Sequence, residues 1–234
     1  MNNIYKKISK KLSNSLFLAF VVFVMSSCSS TAVDVSTEKD PAKLYQEGVK
    51  ALKDNDYLTA QDVFSEIKKR FSQSRYFALA ELRAADLEFD QENYAEAAVL
   101  YENFVELNPN HPEAPYAQFR KAKSYIEDNP ENEARDQSAA SLASSAASQL
   151  IKRYPGSAYE KEAREIYYRG RFQLAKKEAY IARFYRKKGF NKASLKRWQK
   201  IPAEFKDLNQ YAAAKDFFEE VRVAIQTQNQ KSEN

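Results

Sequence analysis

Few residues in this chain are of types that do covalent chemistry. Among 234 residues there is one histidine, His111, and one cysteine, Cys28. A lone cysteine forms no intramolecular disulfide. A zinc site takes about four nitrogen, sulfur or oxygen ligands. Only a carboxylate-rich site is therefore conceivable, and no motif for one is present. Serines are abundant, but a serine nucleophile needs a base beside it. The only histidine lies between Pro109 and Pro112. There it reads as a loop residue that caps or packs on a neighbouring helix, not as a ligand or proton switch. No glycine-rich phosphate loop is visible among the 4 glycines. What remains is aromatic and charged, with Tyr and Phe at 15 each. That inventory suits binding and calls for no cofactor and no metal.

Cys28 has its own setting. Lys6, Lys7, Lys10 and Lys11 precede the apolar run Leu16 to Met25. Ten such residues match a secretory signal and are too few to span a bilayer, which needs about 20. Met25-Ser26-Ser27-Cys28 then resembles a lipobox, in which cleavage precedes a cysteine whose thiol is acylated. Ser29 follows, where an Asp would favour inner-membrane retention, so outer-membrane export is expected. Several acyl chains on one cysteine anchor stably where one alone does not. Residues 1–27 thus read as a signal peptide and 28–40 as lipidated Cys28 with a polar tether of about 20 Å. Without the four leading lysines, 33 Lys and Arg face 32 Asp and Glu. The basic pI therefore carries no nucleic-acid reading.

The elements that position everything else are helices. Only 4 Gly and 7 Pro are too few turn formers for an all-β chain. Asn55 to Ala60 marks a turn in which Tyr57 precedes the small Ala60 by three residues. Tyr94 and Ala97 repeat the phrase, and Phe190 and Ala193 repeat it again. An aromatic followed at this spacing by a small residue is the signature of tetratricopeptide (TPR) repeats. The aromatic plugs the turn, and the small residue lets two helices approach. Repeat 1 covers about 41–74, with Asp40 capping Pro41 and with Leu44, Gly48, Ala51, Leu52, Ala60, Val63, Phe64 and Ile67 facing inward. Repeat 2 covers about 78–111, after a short insertion at Ser74 to Tyr76. Repeat 3 is stretched: a helix at 116–127, a polar interruption at 128–133 and a Ser/Ala-rich helix at 139–154. The fold expected is an all-α, TPR-like helical-hairpin solenoid of about nine helices. One long helix lies near 157–188, with a possible kink near Gly170. Units 1–3 take residues 41–156 and further TPR-like units 157–226, followed by a polar tail at 227–234.

First helices of such repeats line a groove that takes extended peptides or partner helices. Spacing assigns to it Tyr45, Val49 and Lys53, then Arg83, Asp86 and Phe89, then Tyr116 and Arg120. Aromatics flanked by Arg and Lys suit a peptide with an aromatic end and a free carboxylate.

Three phrases carry a family likeness. They are Leu44-Tyr45-Gln46-Glu47-Gly48 with Tyr57 to Gln61, Asn103 to Pro112, and Leu174 to Gly189. Together with the lipobox and tether, over about 41–205, they resemble the BamD (ComL-type) family of outer-membrane assembly lipoproteins. The resemblance implies five TPR-like units of ten helices. Here the chain stops soon after the ninth. It also implies pairing of the C-terminal units with the barrel assembly protein BamA. By position Arg197 matches an arginine used towards BamA, with Phe190 and Lys196 as neighbours. The N-terminal units are implied to recognise C-terminal sorting signals of nascent outer-membrane proteins, and other assembly lipoproteins are possible partners. The expected protein is then a non-enzymatic, lipid-anchored component at the periplasmic face of the outer membrane. A TPR adaptor of another envelope system, such as cell division or pilus biogenesis, is the alternative, and a cell-wall hydrolase or its accessory is a distant third.

Overall fold

The computed structural model describes residues 35–233. They divide after Glu38 into two units. The first contributes a turn at 35–37, and the second holds every helix described. The signal segment 1–27, Cys28 and residues 29–34 of the tether lie outside the described residues.

The helices are α1 Pro41–Lys53, α2 Tyr57–Arg70, α3 Arg75–Asp90, α4 Tyr94–Leu107 and α5 Ala114–Asp128. They continue with α6 Ser138–Arg153, α7 Glu160–Lys187, α8 Asn191–Glu204 and α9 Lys215–Glu233, with 3-10 turns Lys206–Gln210 and Ala212–Ala214 before α9. No strand occurs among the described residues. Each helix packs on the next, and α1 also meets α3 as α5 meets α7. This is the all-α helical-hairpin arrangement the repeats call for.

Local chemistry sets the helix starts. Asp40 accepts from the Ala42 N–H at 2.9 Å, with Pro41 at the first helical position. Asp56 accepts from Thr59 at 3.2 Å, and Ser74 from Tyr76 at 3.2 Å. The short insertion expected at Ser74 to Tyr76 is helical: behind the Ser74 cap, Arg75 and Tyr76 form the first turn of α3, which has 16 residues against 13 in α1.

Three turns share one geometry. Asn55, Glu92 and Gly189 have φ of 59°, 63° and 80°. The next amide in each turn reaches five residues back: Asp56 to Ala51, Asn93 to Glu88, Phe190 to Tyr185. This is the left-handed helix stop that satisfies orphan carbonyls. It also corrects the third copy of the repeat phrase by one residue. Phe190 stands where Asp56 and Asn93 stand, and Asn191 takes the place of Tyr57 and Tyr94. The buried small residue is Ser194, matching Ala60 and Ala97, not Ala193. The left-handed residue fixes the register, and at Gly189 it precedes the aromatic directly.

Close contacts through small residues hold the hairpins. A Cβ on Gly48 would lie 2.6 Å from the Phe64 ring. Ala140, Ala143, Ala146, Ala147 and Ser144 of α6 are buried, so the Ser/Ala-rich stretch is a packed helix. Across from them, a Cβ on Gly170 would collide with Ser144 Oγ and lie 2.6 Å from the Ala140 carbonyl. Gly170 thus serves the α6–α7 contact. Core clusters follow one another along the chain, ending with Trp198, Ile201, Phe205, Leu208, Val221 and Ala224 around α8 and α9.

The interruption at 129–137 is held by its own side chains. Asn129 donates to Gln137 Oε1 at 2.9 Å and accepts from the Ala140 N–H at 3.0 Å. Lys177 of α7 donates to the Ala134 and Arg135 carbonyls, each at 2.9 Å. The polar C-terminal stretch is helical. α9 runs on to Glu233, and within it Gln228 is buried and donates to Ser194 Oγ at 3.1 Å, while its own Oε1 has no hydrogen-bond partner among the described residues.

Candidate functional site

The N-terminal candidates converge on one carboxylate. Tyr45 comes from α1, Arg83, Asp86 and Phe89 from α3, and Tyr116 and Arg120 from α5. Asp86 Oδ1 accepts from Tyr116 Oη at 2.7 Å and from Tyr101 Oη of α4 at 2.6 Å. Arg83 pairs with Asp86 Oδ2 and donates from Nε to Tyr45 Oη at 3.0 Å. Arg120 donates to Tyr101 Oη at 3.0 Å, stands 3.9 Å from Asp86 and 3.6 Å from Asp90, and lies 3.8 Å over the Phe89 ring. Two guanidiniums, three phenols and one ring thus form a single network spanning α1, α3, α4 and α5.

Asp86 is only 4% exposed. It does not face the groove as spacing suggested. It is the internal counterion on which the exposed edges of the site are built. Burial, then the Asp86 charge, raises the Tyr101 and Tyr116 pKa values, so both phenols stay protonated donors. Burial alone would lower the Arg83 pKa, but Asp86 and the Tyr45 bond outweigh it and raise it. Val49 and Lys53 stand beside the network. With Tyr45, Gln46, Lys50 and Asp54 they line an open recess of ≈ 350 Å³. The arrangement offers a rigid aromatic shelf, guanidinium faces and exposed lysines.

The C-terminal candidates separate. Lys196 and Arg197 line an open groove of ≈ 650 Å³ with Tyr185, Ala193, Gln199 and Lys200. Phe190 does not line it; it is 61% exposed at the α7–α8 turn. Arg197 pairs with Glu178 of α7 at 2.8 Å, and Lys200 pairs with the same carboxylate at 2.7 Å. Burial would raise the Glu178 pKa, but bonds from Lys200 and Arg197 lower it.

Sequence reasoning missed Tyr101, Asp90, Glu178 and Lys200. Tyr101 follows Ala97 by one helical turn and read as core; its hydroxyl is invisible to periodicity. His111 sits as read: its Nδ1 accepts from the Glu113 N–H at 3.1 Å, and its ring packs edge-on to Phe104 at 5.4 Å. Among the described residues no cluster of three His, Cys, Asp or Glu could hold a metal. No helix among them is long and apolar enough to cross a membrane.

With this geometry the chain can be set beside known proteins. The YfiO family, described as outer membrane lipoprotein, matches residues 37–234. The chain belongs to this family. The match takes in every helix described, and BamD proteins are among the relatives. One from Caulobacter vibrioides, named outer membrane protein assembly factor BamD, is 30% identical over 167 residues, 71% of this chain and 54% of the relative. A protein of that name from Neisseria meningitidis is 27% identical over 70% of this chain and 65% of its own. One from Vibrio cholerae is 24% identical over 77% of this chain and 78% of its own. The chain therefore spans between about half and two thirds of the first two relatives. The family likeness drawn from the lipobox and the three phrases is borne out.

Proposed function

We infer that this BamD-family chain is a non-enzymatic assembly factor for outer-membrane proteins, held by lipid on Cys28 at the periplasmic face of the outer membrane. The observation that carries the reading is the family match over 37–234. In this account the groove at Lys196 and Arg197 takes a BamA-type barrel assembly protein. The Asp86-centred shelf, with the Tyr45–Val49–Lys53 recess, takes the C-terminal signal of a nascent outer-membrane protein. Support for the first comes from cations gathered beside an open groove. Support for the second comes from a site built before any ligand arrives, since a preorganised site loses less on binding. Aromatic faces suit an aromatic terminal residue, and the lysines and guanidiniums suit its carboxylate.

The experiment is co-purification from solubilised envelopes. The chain is expected to retain the BamA-type protein, and Arg197→Glu to abolish retention while far-UV circular dichroism is unchanged. The variant places a second carboxylate against Glu178 and reverses the charge offered to the partner. Undiminished retention by a folded Arg197→Glu chain would remove Arg197 from the interface. No retention by the parent chain would remove the scaffold role.

A further inference from the structure

Residues 179–203 contain eight Lys and Arg and no Asp or Glu. Three of the eight are spoken for: Arg183 pairs with Glu133 and Glu220, and Arg197 and Lys200 pair with Glu178. The other five, Arg186, Lys187, Lys188, Lys192 and Lys196, are exposed. None of the five has an acidic partner among the described residues. Four of them crowd the α7–α8 tip between 186 and 192.

The tip also carries apolar surface. Phe190 is 61% exposed and Phe184 48%. Their rings flank Tyr185 at 6.3 and 6.1 Å, so the three form one ridge. Lys188 Nζ stands 5.8 Å from the Phe184 centroid. Nothing lies within 4 Å of a Cβ built on Gly189, so the turn is open. The register correction explains the ridge. Tyr57 and Tyr94 fold back as half-buried plugs of their turns, whereas Phe190 sits one residue earlier and points away.

We propose that the α7–α8 tip docks on anionic phospholipid headgroups, a membrane contact separate from any acyl anchor. Aromatic rings and lysine stems enter the headgroup layer while the ammonium groups stay with phosphate. A lipid surface fits better than an acidic protein face for two reasons. The neighbouring groove is lined by Tyr185 and Ala193 but by none of 186–192, and the turn at Gly189 is open, so the cations and exposed rings of the tip lie on its surface rather than in that groove. Cations spread around an exposed ridge also match a diffuse anion layer better than a few fixed carboxylates. Membership of an outer membrane lipoprotein family puts such a surface within reach. The proposal does not rest on the partner or peptide sites.

The test uses the full chain reconstituted in vesicles, with a polarity-sensitive fluorescent amino acid in place of Phe190. In phosphatidylcholine containing phosphatidylglycerol, emission shifts to the blue and brominated lipid quenches it. In phosphatidylcholine alone neither occurs, and added salt reverses the response. Each cation near an anionic surface is worth about fivefold. Lys187→Gln with Lys188→Gln and Lys192→Gln therefore lowers the docked-to-free ratio about 100-fold. The same fluorophore in place of Leu107, exposed at the end of α4, does not respond. Equal quenching in both vesicle types, or a triple variant indistinguishable from the parent, overturns the proposal. Loss of BamA-type partner retention in the triple variant without any lipid response also overturns it, and reassigns the tip to an acidic protein face.

Discussion

Asp86 is the residue on which the N-terminal site depends most. Removing one member of a buried, hydrogen-bonded charge network leaves the rest unpaired and costs about 3–5 kcal/mol. Asp86→Ala is expected to lower unfolding stability by about that much in urea titration, since two phenols and Arg83 lose their acceptor and Arg120 loses a buried counter-charge. Tyr101→Phe removes a hydroxyl that donates to Asp86 and accepts from Arg120. It is expected to cost about 1–3 kcal/mol by the same measurement. A Tyr101→Phe chain as stable as the parent would mean that the network is incidental to the fold. Gly170 makes a different kind of demand. Alanine is the better helix former, but the Ala140 carbonyl lies 2.6 Å from where its Cβ would stand. Gly170→Ala is therefore expected to destabilise, by about 1–3 kcal/mol of overpacking. A gain in stability would show that α6 and α7 part easily.

The α7–α8 hairpin is the element that departs most from the repeat. Its 28-residue first helix, about 42 Å long, reaches the 129–137 loop through Lys177 and through the Arg183–Glu133 pair at 2.8 Å. Glu178 ties α7 to α8 through Arg197 and Lys200, and its folded pKa is depressed. A depressed carboxylate contributes stability that is fully present above its unfolded pKa, near 4.5, and lost as pH falls through the lower folded value. Thermal unfolding should thus lose part of its stability below about pH 4.5, and Glu178→Gln should flatten that loss. An identical acid profile for the variant would contradict the role given to the pair. Much of this hairpin was legible beforehand: its length, its stop at Gly189 and the small-residue contact of the Ser/Ala helix. The register at Phe190 was not, because an aromatic at the right spacing from an alanine looks the same one residue early. Only the left-handed backbone at Gly189 separates the two. The extension of α9 was hidden for a related reason. Gln228 is polar, and only its Nε2 finds a partner, Ser194 on another helix. In the same way, spacing placed Asp86 on the groove-lining helix but could not tell its depth.

For the whole molecule, two candidate sites lie far apart in chain order, one on α1, α3 and α5, the other on α7 and α8. Between them the 129–137 loop, α7 and α9 are joined by Arg183, which bonds Glu133 and Glu220 at once. In the proposed scaffold these partly exposed pairs tie together the segments that connect the two candidate sites. Breaking them with Arg183→Ala is expected to leave each proposed binding reaction intact while slowing assembly. The proposed role requires that the chain speed outer-membrane protein assembly. Its most direct test is insertion of a radiolabelled β-barrel protein into proteoliposomes that contain the BamA-type protein with or without this chain, scored by heat-modifiable mobility on gels. The folded barrel should accumulate several-fold faster when the chain is present, and Arg197→Glu should abolish the gain. Equal rates with and without the chain would contradict it.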